Sequence, residues 1–229
     1  MISIVGLGGT GSYLATPLVR YLLSKDILEK VVFIDGDAYE AKNIDRQDFM
    51  TSYTGVNKAI YACTKHQKLF ENKSECFQYI NKYINETDLP SIMVENGVMF
   101  ICVDNYYFRK IADEYAKNIR NFTIISAGNE MTDGQVQIVQ YRDGQNITSH
   151  SICSRHEEVA SAVKESDRAA MSCEDIAKLP SGGQVIVANM MAATLMLSYF
   201  IDYASNRERT FYETFFDCKN NTMRTVPCH

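Results

Sequence analysis

The residues with the types and spacing to do chemistry stand near the start of this 229-residue chain. Gly6, Gly8, Gly9 and Gly11 form one run, closed by Ser12. Glycines in this pattern let the backbone turn sharply and approach phosphate oxygens where a Cβ would clash. Free N–H groups at the start of a following helix, with its dipole, favour an anion. Asp35 and Asp37 come next, in Asp-Gly-Asp. An acid at that distance from the glycines can hold the hydroxyl pair of a ribose. Asn43, Arg46 and Lys58 follow. Two cations just beyond the ribose-binding acid suit a triphosphate better than a dinucleotide. A lone lysine is usually a solvated surface group, but the motif around Lys58 argues for a phosphate partner.

These residues need elements to hold them. Ile2–Val5 reads as a buried strand, 13–23 as an apolar helix and Val31–Ile34 as a second strand ending at Asp35. Strand, glycine loop, helix, strand and acid make one β-α-β unit that binds a nucleotide. An amphipathic helix is expected over 57–70, with Lys58 at its start, and a strand over 75–84. A short buried strand over 100–103 ends at Asp104 and Asn105, and a helix follows over 106–118. Asp104 at the carboxyl end of a strand would face the crevice where open parallel sheets bind ligands. The plainer reading has Asp104 cap the next helix. Arg109 would face the same crevice or pair on the surface.

Further on, 122–126 reads as a strand. Residues 135–141 alternate as a half-exposed antiparallel strand should. Residues 142–145 are a turn. The polar stretch 146–181 is a long connection of the kind that is functional or mobile. The run 185–201 is apolar all round and predicts a fully buried helix rather than a membrane span, being short of the ~20 residues needed and containing Asn189. The tail, 210–229, reads as two short strands around a turn at Lys219, Asn220 and Asn221.

From Asp35 to Phe49 the chain resembles the ThiF/MoeB/HesA superfamily, ATP-using enzymes related to the ubiquitin activators. The matching residues are Gly6, Gly8, Gly9, Gly11 and Ser12; Asp35, Asp37, Asn43, Arg46, Gln47 and Phe49; and Gly55, Lys58 and Ala59. The resemblance implies a single domain over 1–229. Its first half, 1–126, is a Rossmann-like α/β fold, a mostly parallel sheet with helices on both faces. Its second half, 127–229, is antiparallel, receives a protein substrate and carries a crossover segment at about 146–181. The resemblance also gives Asp104 to Mg²⁺ and the phosphates. It sets Cys173 where sulfur-transfer relatives carry a thioester or persulfide cysteine; a bystander thiol is the other reading. A homodimer is implied as well.

Composition narrows the classes. A net charge of −5 gives no electrostatic case for nucleic acid or an anionic membrane. Seven scattered cysteines suit reduced thiols in a cytoplasmic protein better than a disulfide framework. Many relatives hold a structural zinc between two CxxC pairs, and this chain has none. Cys153, His156, Cys228 and His229 are a chemically sound donor set with irregular spacing, so zinc is disfavoured.

The expected reaction is ATP-dependent adenylation of a carboxylate, the substrate being the Gly-terminated tail of a small ubiquitin-like or sulfur-carrier protein. Asp35 would hold the ribose, Arg46 and Lys58 the phosphates, Asp104 the Mg²⁺, and Asn43 the phosphates or leaving group. Cys173 would then take the acyl group as a thioester. ThiF and MoeB relatives place helices before the first strand, and an arginine there reaches the partner's ATP. Here the strand begins at residue 2, so that arginine is not expected in its usual place. A scaffold that keeps the nucleotide pocket without catalysis is the alternative. An NAD-dependent oxidoreductase is a third reading, one that leaves Arg46 and Lys58 without a task.

Overall fold

A computed structural model describes residues 1–164 and 186–227. Its centre is a nine-stranded sheet. The strands are β1 (Ile2–Val5), β2 (Val31–Ile34), β3 (Phe77–Ile80), β4 (Gly97–Ile101), β5 (Phe122–Asn129), β6 (Asp133–Arg142), β7 (Gln145–Asn146), β8 (Phe211–Asp217) and β9 (Thr222–Pro227). They lie in the order β3-β2-β1-β4-β5-β6-β8-β9, with the short β7 paired to β6. Pairing is parallel from β3 to β5 and antiparallel from β5 to β9. The expected α/β architecture, a parallel half continued by an antiparallel one, is what the chain adopts.

Helices cover both faces. On one, α1 (Gly9–Ser24), α2 (Lys58–Leu69) and the long α7 (Ile186–Ala204) pack with Ile4, Phe33, Phe100, Ile125 and Val136. On the other, α3 (Leu89–Ile92), α4 (Tyr106–Ala116), α5 (Ile152–Arg155) and α6 (Glu157–Ala160) pack with Val5, Ile34, Met99, Ile101, Ile124 and Val139. Covering both faces explains why β1, β2 and β4 are made almost wholly of apolar or small residues, with Ser3 in β1 buried among them.

The chain goes from β1 outward to β2 and β3, then returns to β4 on the other side of β1. Strand order therefore reverses between β1 and β4. The crevice above the carboxyl ends of those two strands is where open sheets of this kind take ligands.

Several element boundaries differ from expectation. β3 spans only Phe77–Ile80, because Glu71–Cys76 forms a 3-10 turn before it. β4 is Gly97–Ile101, so Asp104 lies in the loop beyond the strand rather than at its tip. β6 is not half-exposed. Val136, Gln137, Ile138 and Val139 are all buried, because α7 covers one face and α5 and α6 the other. α7 is 19 residues, long and apolar enough to cross a membrane by length and composition. It is not fully buried as expected. One side packs on α1, β5 and β6, while Val187 (49%) and Met190 (48%) stay exposed.

Candidate functional site

The loop after β1 is shaped by its glycines. Gly6 has φ +87°, a conformation L side chains rarely adopt, and a Cβ on Gly11 would lie 1.9 Å from the Gly6 carbonyl oxygen. The start of α1 is thereby pressed against the end of β1. Gly9 is equally committed, since its Cβ would lie 2.3 Å from Asn189 Nδ2. Gly8 differs: a Cβ there would meet only Gln47 Nε2, at an ordinary 3.6 Å. Gly8 caps α1 without a side-chain bond, and the first turn of the helix carries no acid. The open side of the loop is therefore a cradle of backbone N–H groups that a side chain at Gly8 would fill.

Asp35 sits at the carboxyl end of β2 and reaches the same loop. Its Oδ2 accepts from Leu7 N–H at 2.6 Å and its Oδ1 from Asp37 N–H at 2.8 Å. Burial pushes its carboxyl above the usual range, against the pull of Lys58 and the two N–H groups. Asp37 moves the other way. Burial would raise it, but the Tyr83 hydroxyl and Lys58 together outweigh that and hold it low. Lys58 Nζ meets Asp37 Oδ2 at 3.1 Å; the lysine side chain is 9% exposed and the carboxylate 48%.

Asn57 builds this corner, and sequence reasoning passed over it. Its Oδ1 caps α2 by accepting from Ala59 and Ile60 N–H, at 2.9 and 3.1 Å. Its Nδ2 donates to the carbonyl oxygens of Asp35 and Asp37, at 3.0 and 2.9 Å. One side chain thus ties the Asp-Gly-Asp turn to the first turn of α2 and delivers Lys58 to it. The signal was legible, since Asn directly before a helical run is a capping residue. Tyr83, also missed, lays its ring against Gly36, where a Cβ would be 2.8 Å from it. Its hydroxyl donates to Asp37.

The segment carrying Asn43, Arg46 and Gln47 docks on the glycine loop. Asn43 is buried; its Oδ1 accepts from Glu40 N–H at 3.0 Å and its carbonyl from Arg46 and Gln47 N–H, at 3.1 and 3.0 Å. It builds the turn from which Arg46 projects. Asp48 N–H donates to Ser12 Oγ at 3.0 Å. Phe49 stacks on Tyr39 with ring centroids 4.1 Å apart, fixing the far end of the segment. Arg46 is half-buried, and among the described residues its guanidinium makes no ion pair. Gln47 Oε1 is buried with no partner among the described residues.

Asp104 is exposed in the loop after β4, on the same crevice. It does not cap α4; Asn105 does, accepting from Phe108 N–H at 2.8 Å. Arg109 is neither in the open crevice nor on the surface. It is buried, donates to Ser126 Oγ at 2.6 Å and clamps the carbonyls of Val103 and Ala127, joining the ends of β4 and β5. Burial pulls its pKa down, opposed by Cys102 and Asp104.

Of the disfavoured zinc set, only Cys153 and His156 lie among the described residues. Cys153 and His156 have separate partners. The Cys153 thiol is pushed up to about 12 by burial and by Asp113, a poor state for a metal-binding thiolate. His156 Nε2 pairs with Glu213 Oε1 at 2.6 Å. Cys228 and His229 lie outside the described residues, as does Cys173 with its thioester role. Among the described residues no group of three or more His, Cys, Asp or Glu could hold a metal ion. For Mg²⁺ the exposed Asp104 is a suitable hard oxygen donor, because Mg²⁺ usually takes one or two carboxylates and completes its shell with water and phosphate.

No curated protein sequence matches the chain, but solved structures do. MccB of E. coli with AMPCPP and MccA aligns with a TM-score of 0.70 at 17% identity, over 99% of this chain and 63% of that one. The microcin C7 biosynthetic enzyme MccB with N-formylated MccA gives 0.70, 17%, 99% and 64%. PaaA gives 0.65, 15%, 99% and 63%. The chain thus spans under two thirds of the length of these neighbours, and at such identity the likeness speaks for the fold. The sequence pattern of the ThiF family matches residues 1–229, the whole length; the chain belongs to the ThiF family.

Proposed function

We propose that this protein binds ATP over the glycine loop and activates a carboxylate as its acyl-adenylate. The observation that carries this reading is the open loop at Gly8, faced by Asp35 and flanked by the docked Arg46 segment and by Lys58. Family membership supports it. So do MccB structures holding ATP or AMPCPP, the latter with the MccA substrate.

In this reading the carboxylate oxygen attacks the α-phosphorus and forms the new P–O bond. The bond to the bridging oxygen breaks, and pyrophosphate leaves with the electron pair. The first-turn N–H groups of α1 and the cations Arg46 and Lys58 stabilise charge developing on the phosphates. Asp35 keeps lone pairs for the ribose beyond those taken by Leu7 and Asp37. Asp104 would hold Mg²⁺, which supplies charge neutralisation when bound. The bound MccA in the neighbouring structures favours a peptide or small protein as acyl donor. A Gly-terminated ubiquitin-like or sulfur-carrier tail is the member of that class we put first. A homodimer would find an apolar surface on Val187 and Met190 of α7.

The test is ATP–pyrophosphate exchange with small Gly-Gly-terminated proteins and short peptides, each paired with its carboxy-terminal amide. Exchange with a free carboxylate, lost on amidation and in Asp104→Ala, is expected. ATP binding in calorimetry with no exchange for any free carboxylate would favour the nucleotide-binding scaffold. NADH bound in preference to ATP would favour the oxidoreductase.

A further inference from the structure

Asn189 is the one amide in the apolar helix α7, and it is wholly buried. Its Nδ2 donates to the Arg46 carbonyl oxygen at 3.2 Å and its Oδ1 accepts from Asn129 Nδ2 at 2.8 Å. Asn129 Oδ1 in turn accepts from Thr10 Oγ1 at 3.1 Å. The Asn189 amide also lies flat against Gly9, whose missing Cβ is the space it fills. Four segments far apart in sequence meet here: the first turn of α1, the Arg46 segment, the end of β5 and α7.

A buried amide is costly unless its donors and acceptors are matched. An apolar residue would pack into α7 without that cost, so the amide needs a reason. Every partner it has belongs to the surround of the glycine loop. We propose that Asn189 is a positioning residue for the nucleotide. It holds the Arg46 backbone at a fixed place against the start of α1, and thereby sets where the Arg46 guanidinium can reach. This inference rests on the ATP-binding reading above. It adds a residue from α7 that touches no ligand and acts through Arg46.

The alternative is a purely structural amide, and coupling separates the two. MgATP is titrated calorimetrically into the wild-type chain, Asn189→Leu, Arg46→Ala and the double variant, with thermal unfolding of each alongside. Asn189→Leu, which keeps the branching of the side chain at Cγ but removes its hydrogen bonds, is expected to weaken ATP binding about tenfold. In the Arg46→Ala background the same substitution is expected to cost nothing further. Gly9→Ala should weaken binding on its own and recover in part when combined with Asn189→Ala, because the colliding amide is gone. If the wild type binds ATP but Asn189→Leu binds it equally well, the positioning role is overturned. It is also overturned if the loss is the same with and without Arg46, or if only the melting temperature moves. If the wild type binds no ATP, the ATP reading itself has failed and this inference falls with it.

Discussion

At the carboxyl end of β2, Lys58 is buried against Asp37, yet the carboxylate of that pair stays 48% exposed. On β8, Glu213 has no exposed side-chain area at all; His156 Nε2 lies 2.6 Å from one oxygen and Arg155 Nε 3.5 Å from the other. Glu158 and Gln135 close the other ring nitrogen of His156, at 3.2 and 3.4 Å. Both groups bury charge, but the Asp37 carboxylate reaches solvent, whereas that of Glu213 does not and only Arg155 and Glu158 at its rim are exposed. An open pair has donors and lone pairs to offer a ligand. A closed one is a fastener, and this one pins α5 and α6 to the antiparallel strands. The contrast fits the nucleotide site proposed at the parallel half of the sheet and leaves the Glu213 cluster the task of holding the chain in place.

The largest effect should come from the open pair. Lys58→Met removes a cation beside the proposed phosphates, and groups of this kind contribute about 10²- to 10³-fold to turnover. ATP–pyrophosphate exchange should fall by that order while the melting temperature moves little, because Asp37 keeps Tyr83 and solvent as partners. Glu213→Leu should do the reverse. It strips His156 and Arg155 of their acceptor in a buried site, a change that costs about 3 kcal/mol or more of stability. Urea unfolding reads that loss, and ATP affinity at low temperature should stay within about twofold of wild type. If the two substitutions exchanged their effects, the contrast between open and closed clusters would be broken.

This contrast was only half legible in the sequence, for a physical reason. The glycine run, Asp35, Asp37, Asn43, Arg46 and Lys58 lie within one continuous stretch, because a β-α-β unit brings its loop and its acid together locally. The Lys219–Asn221 turn was legible on similarly local grounds, and it places Asn221 at φ 51°. The antiparallel half works through contacts of long sequence separation. Asn189 reaches Arg46 and Asn129, and Glu213 reaches His156, and no local pattern announces either. A polar residue alone in an apolar helix was the available hint for Asn189. It had served only as an argument against a membrane span. The error over α7 has a similar origin: composition reports that a helix is apolar all round, but not how much of its circumference the sheet can cover. Asp104 was placed too near its strand because a run of apolar residues does not show where the last ladder bond falls.

The smallest of these effects sharpens the comparison from within the parallel half. His66 is buried there without any carboxylate bonded to it. Its ring stacks on Phe33 at 4.9 Å, its Nδ1 meets the Ala62 carbonyl at 2.7 Å and its Nε2 meets Thr16 Oγ1 at 3.3 Å. Burial pushes its pKa down from 6.5 to about 4, only partly offset by the Ala62 carbonyl. The folded value lies below the unfolded one, so the unfolded chain takes up the proton first as pH falls. The stability that the neutral ring contributes is therefore fully present above pH 6.5 and drains away toward pH 4. That difference amounts to about 2 kcal/mol between pH 6.5 and 4.5. His66→Phe, which keeps an aromatic ring against Phe33, should flatten the acid limb of a stability-against-pH curve by that amount and leave ATP affinity at neutral pH unchanged. An unaltered acid limb would mean that His66 is protonated within the fold. The parallel half would then hold a closed, charged site of its own, and the division between the two halves would no longer stand.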